Sequence, residues 1–266
     1  MRDQKTDHSE TMNDIPILFQ DDDILVIDKP PGLTVNRAQS VKERTIQDWI
    51  DENFTFQILS IPPRDPLKPK TEGEWNTPEE DFVARSGMAH RIDKETSGIL
   101  LIAKNVPSFI ELQRQFKDHI VKKTYQAIVH GDVIPKDGVI KAPVDRVPWN
   151  RQQFGIVPGG KESETEYHCD RTFASPHVKN ELLSLLTVHP KSGRTHQIRV
   201  HLKYINHPIL GDYLYAGRKT AKFDRSWVPR VMLHAAHITF VHPKTGKELE
   251  IDAPMPDDMK RVISEN

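Results

Sequence analysis

HRIDKETSGILLIA, residues 90–103, sets the densest polar segment of the chain directly against an apolar run, Ile99 to Ala103. An apolar run this short, bounded by Gly98, predicts a strand buried on both faces. The polar half predicts a loop closing in a tight turn, because Thr96, Ser97 and Gly98 can satisfy backbone groups there. An acidic residue at such a loop–strand junction can project into a cleft. Asp93 is flanked by His90, Arg91 and Lys94, and neighbouring cations favour the ionised carboxylate. The same local composition also describes a salt-bridged loop aspartate with no chemical role.

Working outward, residues 24–27 (ILVI) predict a second buried strand. It stops at Lys29-Pro30-Pro31-Gly32, where proline has no amide donor and glycine permits positive φ. Residues 45–54 (TIQDWIDENF) predict a helix with Ile46, Trp49 and Ile50 on one face. The Pro-rich, charged stretch 61–77 predicts an exposed loop of unusual length. Residues 107–119 carry proline near their start and Phe109, Leu112 and Phe116 at helical spacing. A half-buried strand is expected at 124–129, and a strand pair at 163–173 and 181–188, the second apolar enough to be central. Ile198, Leu202 and Ile205 give 195–205 the inward stripe of a helix. A hairpin over 236–241 and 248–252 and a short helix at 256–264 complete the chain. Strands and helices mix without regular βα alternation, so the fold class is α+β. Residues 1–14 are expected to be a disordered tail, and 15–266 one domain.

With 266 residues, 28% charged and 36% hydrophobic, the composition is that of a soluble globular protein. A chain this long buries roughly 70–75% of its unfolded surface. It has no run of 18 apolar residues, so no membrane is expected, and the polar start lacks a signal-peptide core. The single cysteine, Cys169, excludes an internal disulfide framework and a Cys-based zinc cluster, which fits a reducing cytoplasm. Net charge is −1, unlike many nucleic-acid binders. Yet Lys191, Arg194, Arg199 and Lys203 crowd one stretch with His196 and His201, and Lys122-Lys123 form a second basic spot. Such segregation can bind phosphate without a basic whole; an ordinary mixed surface gives the same count. His196 and His201 are poorly spaced for joint ligation on a helix, and His234 and His237 fall in an expected strand, so no metal is expected. No phosphate- or dinucleotide-binding glycine loop is present, so no cofactor is expected. No surplus apolar segment advertises an interface, which favours a monomer.

VIDKPPGLTV (26–35), HRIDKETSGILLIAKN (90–105), KKTYQAIVHG (122–131), HPKSGRTHQIRVHLKYINHPILGD (189–212) and LHAAHITFVHPKTGKELEIDAP (233–254) are collinear segments. In that order they resemble the RluA-like family of RNA pseudouridine synthases. The resemblance implies a mixed, largely antiparallel sheet with flanking helices and a central RNA-binding cleft. It implies an enzyme that cuts the N1–C1′ bond of uridine, turns the uracil and rejoins it through C5. Asp93 matches the family nucleophile, Tyr125 the tyrosine that stacks on the flipped base, and Arg199 the arginine paired with the nucleophile. Arg91 matches the arginine inserted where the target nucleotide leaves the stack; a planar guanidinium fills that gap better than lysine. His90, Arg194 and Ile198 are further substrate-binding candidates, Ile198 being as well suited to the core. Arg194 and Arg199 are five residues apart, roughly 140° around a helix, so they need not share a face. The implied partner is structured RNA, ribosomal or transfer, with no DNA. Two departures leave the expected activity in place: Ile92 where leucine is frequent, a conservative apolar change, and Asp28 where asparagine is usual, in a segment read as a structural turn. The first segment begins near residue 17, so the small upstream RNA-binding domain of some relatives is not expected.

Two other functions compete. A non-catalytic RNA-binding module would have no need of Asp93, Tyr125 and Arg199 together. A glycosidic hydrolase would need a second carboxylate to activate water, and it would release free uracil, which an isomerase does not.

Overall fold

The structure is a computed structural model describing residues 14–38, 41–55, 77–148 and 150–264. Its strands are β1 (Ile17–Gln20), β2 (Ile24–Lys29), β3 (Ser97–Ala103), β4 (Lys122–His130), β5 (Asp137–Lys141), β6 (Val144–Val147), β7 (Asn150–Ile156), β8 (Glu164–Ala174), β9 (Leu182–Pro190), β10 (Leu233–Val241) and β11 (Glu248–Asp252). Its helices are α1 (Ile46–Asn53), α2 (Pro78–Ala84), α3 (Val106–Lys117), α4 (Gln197–Tyr204), α5 (Arg218–Asp224) and α6 (Asp257–Ser264).

β3 is buried along its whole length because successive side chains enter two different cores. Leu100 and Ile102 join Ile46, Trp49 and Ile50 of α1. Ile99, Leu101 and Ala103 join Phe109 and Leu112 of α3. Burying each such aliphatic side chain stabilises the fold by about 1.5–3 kcal/mol. The helices begin where their caps permit. Thr45 and Asp48 form a reciprocal capping box for α1, and Asn105 accepts the Ser108 amide for α3.

The main sheet runs β1-β2-β3-β10-β4-β9-β8-β5, with β11 added to β10. Every pairing is antiparallel except β3 with β10, which meet over two residue pairs, His234 with Ser97 and Ala235 with Gly98. Gly98 is obligatory at this join. Its φ is +106°, and a Cβ there would lie 2.2 Å from the Ala235 carbonyl oxygen. Beyond the join, β4, β9 and β8 pack a third core against Ile198 and Leu202 of α4. The architecture is therefore α+β with a mixed, largely antiparallel sheet.

The expected strands, hairpin and helices are all present, with ends shifted by a few residues. β10 is longer than expected, starting at Leu233. One inference about geometry changes. α4 begins at Gln197, so Arg194 precedes it and the angular separation of Arg194 and Arg199 around a helix does not apply. The sequence did not announce β1, β5, β6, β7, α2 or α5, all short elements and most of them poor in apolar residues; β6 and β7 form a separate two-stranded sheet. Of the expected tail at 1–14 only Asp14 is among the described residues, and of the loop at 61–77 only Thr77, which caps α2.

Candidate active site

The loop entering β3 is fixed almost residue by residue. His90 Nε2 accepts the Leu101 amide at 2.9 Å, and its ring stacks on Phe116. Burial pushes the His90 imidazole down to about 3, so the ring is neutral. Ile92 enters the α1 core. The Lys94 carbonyl accepts the Lys29 ammonium at 3.0 Å and the Gly32 amide at 2.9 Å. The Glu95 carboxylate accepts Arg225 at 2.5 Å and the Val231 amide at 3.1 Å. Ser97 Oγ meets His234 Nδ1 at 2.9 Å. Arg91 and Asp93 are left facing a cleft.

Lys29 is wholly buried, and its ammonium also donates to the Pro30 and Leu33 carbonyls. Burial, reinforced by the nearby charge of Arg230, pushes it down to about 7. The Lys-Pro-Pro-Gly turn is thus a clamp joining the end of β2 to the residue after Asp93.

The cleft is a cavity of about 600 Å³ whose lining includes Arg91, Asp93, Tyr125, Arg194, Ile198 and Arg199. A neighbouring cavity of about 520 Å³ shares Arg91, Asp93 and Arg199 with it. Asp93 is 22% exposed; its Oδ2 accepts Arg199 Nη1 at 2.9 Å and lies 3.7 Å from His196 Nε2. Oδ1 has no hydrogen-bond partner among the described residues. Tyr125 sits on β4 between the cleft and the third core. Burial, then the charge of Asp93, pushes its phenol far above the usual range, so it is a neutral aromatic surface. Lys123, two residues earlier on β4, is pushed down to about 8 by burial and donates to the Ser192 carbonyl at 3.1 Å.

The other wall starts at His196, which caps α4 with φ +57°. Its Nδ1 meets the Tyr215 hydroxyl at 2.9 Å, and burial lowers its pKa. Gln197 ties this turn to Ser192 and to Thr165 of β8. Arg199 is 8% exposed and donates Nε and Nη2 to Asp212 at 2.7 and 2.9 Å. It lies over the Tyr215 ring, 5.0 Å from the centroid.

The structure brings all seven sequence-predicted site residues to one cleft. Their positions differ in kind. Arg91 and Arg194 are exposed, and among the described residues neither guanidinium has a hydrogen-bond or ion-pair partner. Ile198 is 6% exposed and belongs to the core as well as to the lining. His90 lines the cleft with a ring already committed to Leu101. Sequence reasoning missed Asp212, Tyr215, Gln197 and the clamping role of Lys29. Asp212 closes one of the quoted segments, but an aspartate after glycine looks like a turn residue until its partner is known.

Asp21, Asp23 and His242 are the one acid–histidine group among the described residues spaced to hold a cation. They do not suit one. His242 Nδ1 accepts the Lys244 and Thr245 amides, so Nε2 carries the proton and donates to Asp21 at 2.7 Å. Asp23 is held by Asn105 and Lys244.

An under-bonded carboxylate oxygen beside a fixed guanidinium can attack or stabilise an electron-poor sugar carbon. A half-buried aromatic nearby offers a base a stacking surface. The family model described as RNA pseudouridylate synthase matches residues 23–204. A ribosomal large subunit pseudouridine synthase D of Zymomonas mobilis is 36% identical over 261 residues, covering 96% of this chain and 74% of that protein. The Bacillus subtilis RNA pseudouridine synthase YlyB is 34% identical over 250 residues, covering 94% and 72%. The solved human RNA pseudouridylate synthase domain containing 1 shares the fold, with a TM-score of 0.66 at 22% identity, covering 91% of this chain and 84% of that one. A family match across all of the chain from β2 to the end of α4, with relatives more than 30% identical over nearly its full length, makes this protein a member of the RNA pseudouridylate synthase family, isomerases that convert uridine in RNA to pseudouridine.

Proposed function

We propose that the chain modifies uridine in ribosomal RNA of the large subunit, with Asp93 as nucleophile. The observation that carries the nucleophile is the Asp93 carboxylate lining the cleft, with Oδ2 held by Arg199 and Oδ1 without a hydrogen-bond partner among the described residues. The names of several relatives, ribosomal large subunit pseudouridine synthases, support the RNA. In this reading the target uridine flips out, Arg91 fills its place in the stack, and the uracil packs on Tyr125. Asp93 forms a bond to C1′ as N1–C1′ breaks. The detached uracil turns, C5 bonds to C1′ as the Asp93 ester leaves, the C5 proton is released, and N1, which kept the electron pair of the broken bond, takes up a proton. No water is consumed and no group moves between molecules, so a single essential carboxylate suffices. Arg194 contacts the RNA backbone. One chain supplies both walls of the cleft, which supports action as a monomer, and the free buried thiol of Cys169 fits a cytoplasmic location.

The test is pseudouridine mapping of total RNA from cells lacking the protein, rescued with wild type or Asp93→Ala. Loss at one or a few large-subunit ribosomal sites, restored by wild type alone, is the expected result. Restoration by Asp93→Ala overturns the nucleophile. Loss confined to transfer RNA redirects the substrate.

A further inference from the structure

We propose that Asp212 is a positioning residue for the isomerisation. It holds Arg199 side-on and takes most of its charge, so that only Nη1 reaches Asp93 and Asp93 Oδ1 stays free to react. The proposal rests on the reading of Asp93 as nucleophile and extends it to a residue outside the cleft lining.

Asp212 has no exposed surface, against 8% for Arg199 and 22% for Asp93, so burial deepens step by step away from the cleft. Its Oδ2 accepts Arg199 Nε at 2.7 Å. Its Oδ1 accepts three donors: Arg199 Nη2 at 2.9 Å, the Leu214 amide at 3.0 Å and the Tyr215 amide at 3.2 Å. A side-on pair of this kind fixes both the position and the plane of a guanidinium. The Tyr215 ring supports the guanidinium, and its hydroxyl meets His196 and the Phe154 amide. One carboxylate therefore sets the arginine and the loop carrying its aromatic support.

Gly211 puts the carboxylate there. With φ +77°, a Cβ at that position would lie 2.2 Å from the Arg230 carbonyl oxygen, so the chain turns where other residues clash.

Asp93, Arg199 and Asp212 carry one positive and two negative charges. Were Asp93 the sole partner of this buried guanidinium, the fork would engage both its oxygens and quench the one that must attack. Asp212 prevents that by occupying the fork's side edge.

The test uses the full chain and bulk RNA from cells lacking the protein, labelled with tritium at uridine C5. Isomerisation expels that hydrogen, so tritium release reports turnover whatever the site. Asp212→Asn keeps the shape and the amide contacts but loses the charge and one arginine bond. The expected result is a single-turnover rate down about 100-fold, with RNA affinity by filter binding changed less than about twofold. In a cycle with Arg199→Lys, the double variant should lose little beyond the worse single one, because both changes act through one guanidinium. A merely structural aspartate would give independent losses. If Asp212→Asn does not fold, Asp212→Ser, whose hydroxyl still accepts an amide, carries the same cycle. Failure of both to fold, a wild-type rate in either, or additive losses overturns the proposal. Asp93→Ala run in parallel keeps the readings apart: tritium release from that variant overturns the nucleophile whatever Asp212 does.

Discussion

Two loops offer a carboxylate to the same arginine, and they treat it in opposite ways. The loop ahead of β3 is anchored by its neighbours, through Lys29, Gly32, Arg225, Val231 and His234, while the Asp93 carboxylate makes one hydrogen bond among the described residues. The loop after α4 is held by neighbours too, through Ile128, Asp224 and Arg225, but its carboxylate is saturated, since the Asp212 side chain accepts four hydrogen bonds. A carboxylate that must form a new bond has to be under-bonded, so the scaffold around it does the holding. A carboxylate that only holds others is best buried and saturated.

The most damaging way to break this contrast is to remove the shared arginine. Arg199→Met should strand the fully buried Asp212 charge and cost about 3–5 kcal/mol of stability, measured by urea unfolding, with loss of turnover. Asp93→Asn removes no buried charge pair of that depth, so it should abolish tritium release while leaving the unfolding midpoint nearly unchanged. Smaller is the effect of unclamping one loop alone. Lys29→Met leaves the Pro30 and Leu33 carbonyls without their buried donor, at about 2–3 kcal/mol. It should lower turnover more than RNA affinity, because the freed segment adjoins Asp93.

The smallest effect sharpens the comparison through pH. Folded His90 stays neutral down to about 3, whereas in the unfolded chain it takes a proton below its ordinary value of 6.5. Between those values the unfolded state binds more protons, so stability falls as pH falls, by roughly 1 kcal/mol per pH unit. His90→Gln can accept the Leu101 amide without titrating. Denaturation at pH 7.5 and 5.0 should show wild type losing more stability on acidification than the variant. An equal loss in both would mean that acid acts elsewhere than on this loop.

Much of this was legible in the sequence where a local pattern has one physical solution. The run 99–103 after Gly98 read as a buried strand, Ile46, Trp49 and Ile50 marked one face of α1, and the stripe Ile198-Leu202-Ile205 marked α4. The cleft residues became legible through five collinear segments rather than through any one of them. Elements such as β6, β7 and α5 were not legible, because short stretches with few apolar residues owe their conformation to neighbours distant in sequence.

Local sequence carried the α+β class and the position of the aspartate before its strand, which follow from apolar periodicity and turn chemistry acting over a few residues. The residues that could line a cleft came instead from the family resemblance of five collinear segments. Tertiary packing alone sets which carboxylate is saturated and which keeps an oxygen free among the described residues, which lysine is a clamp, and which arginines face the cleft without a described partner. Arg199 is 106 residues from Asp93 and 13 from Asp212 in the chain, yet touches both. Burial and hydrogen-bond saturation are properties of what packs around a group, and no local stretch of sequence carries them.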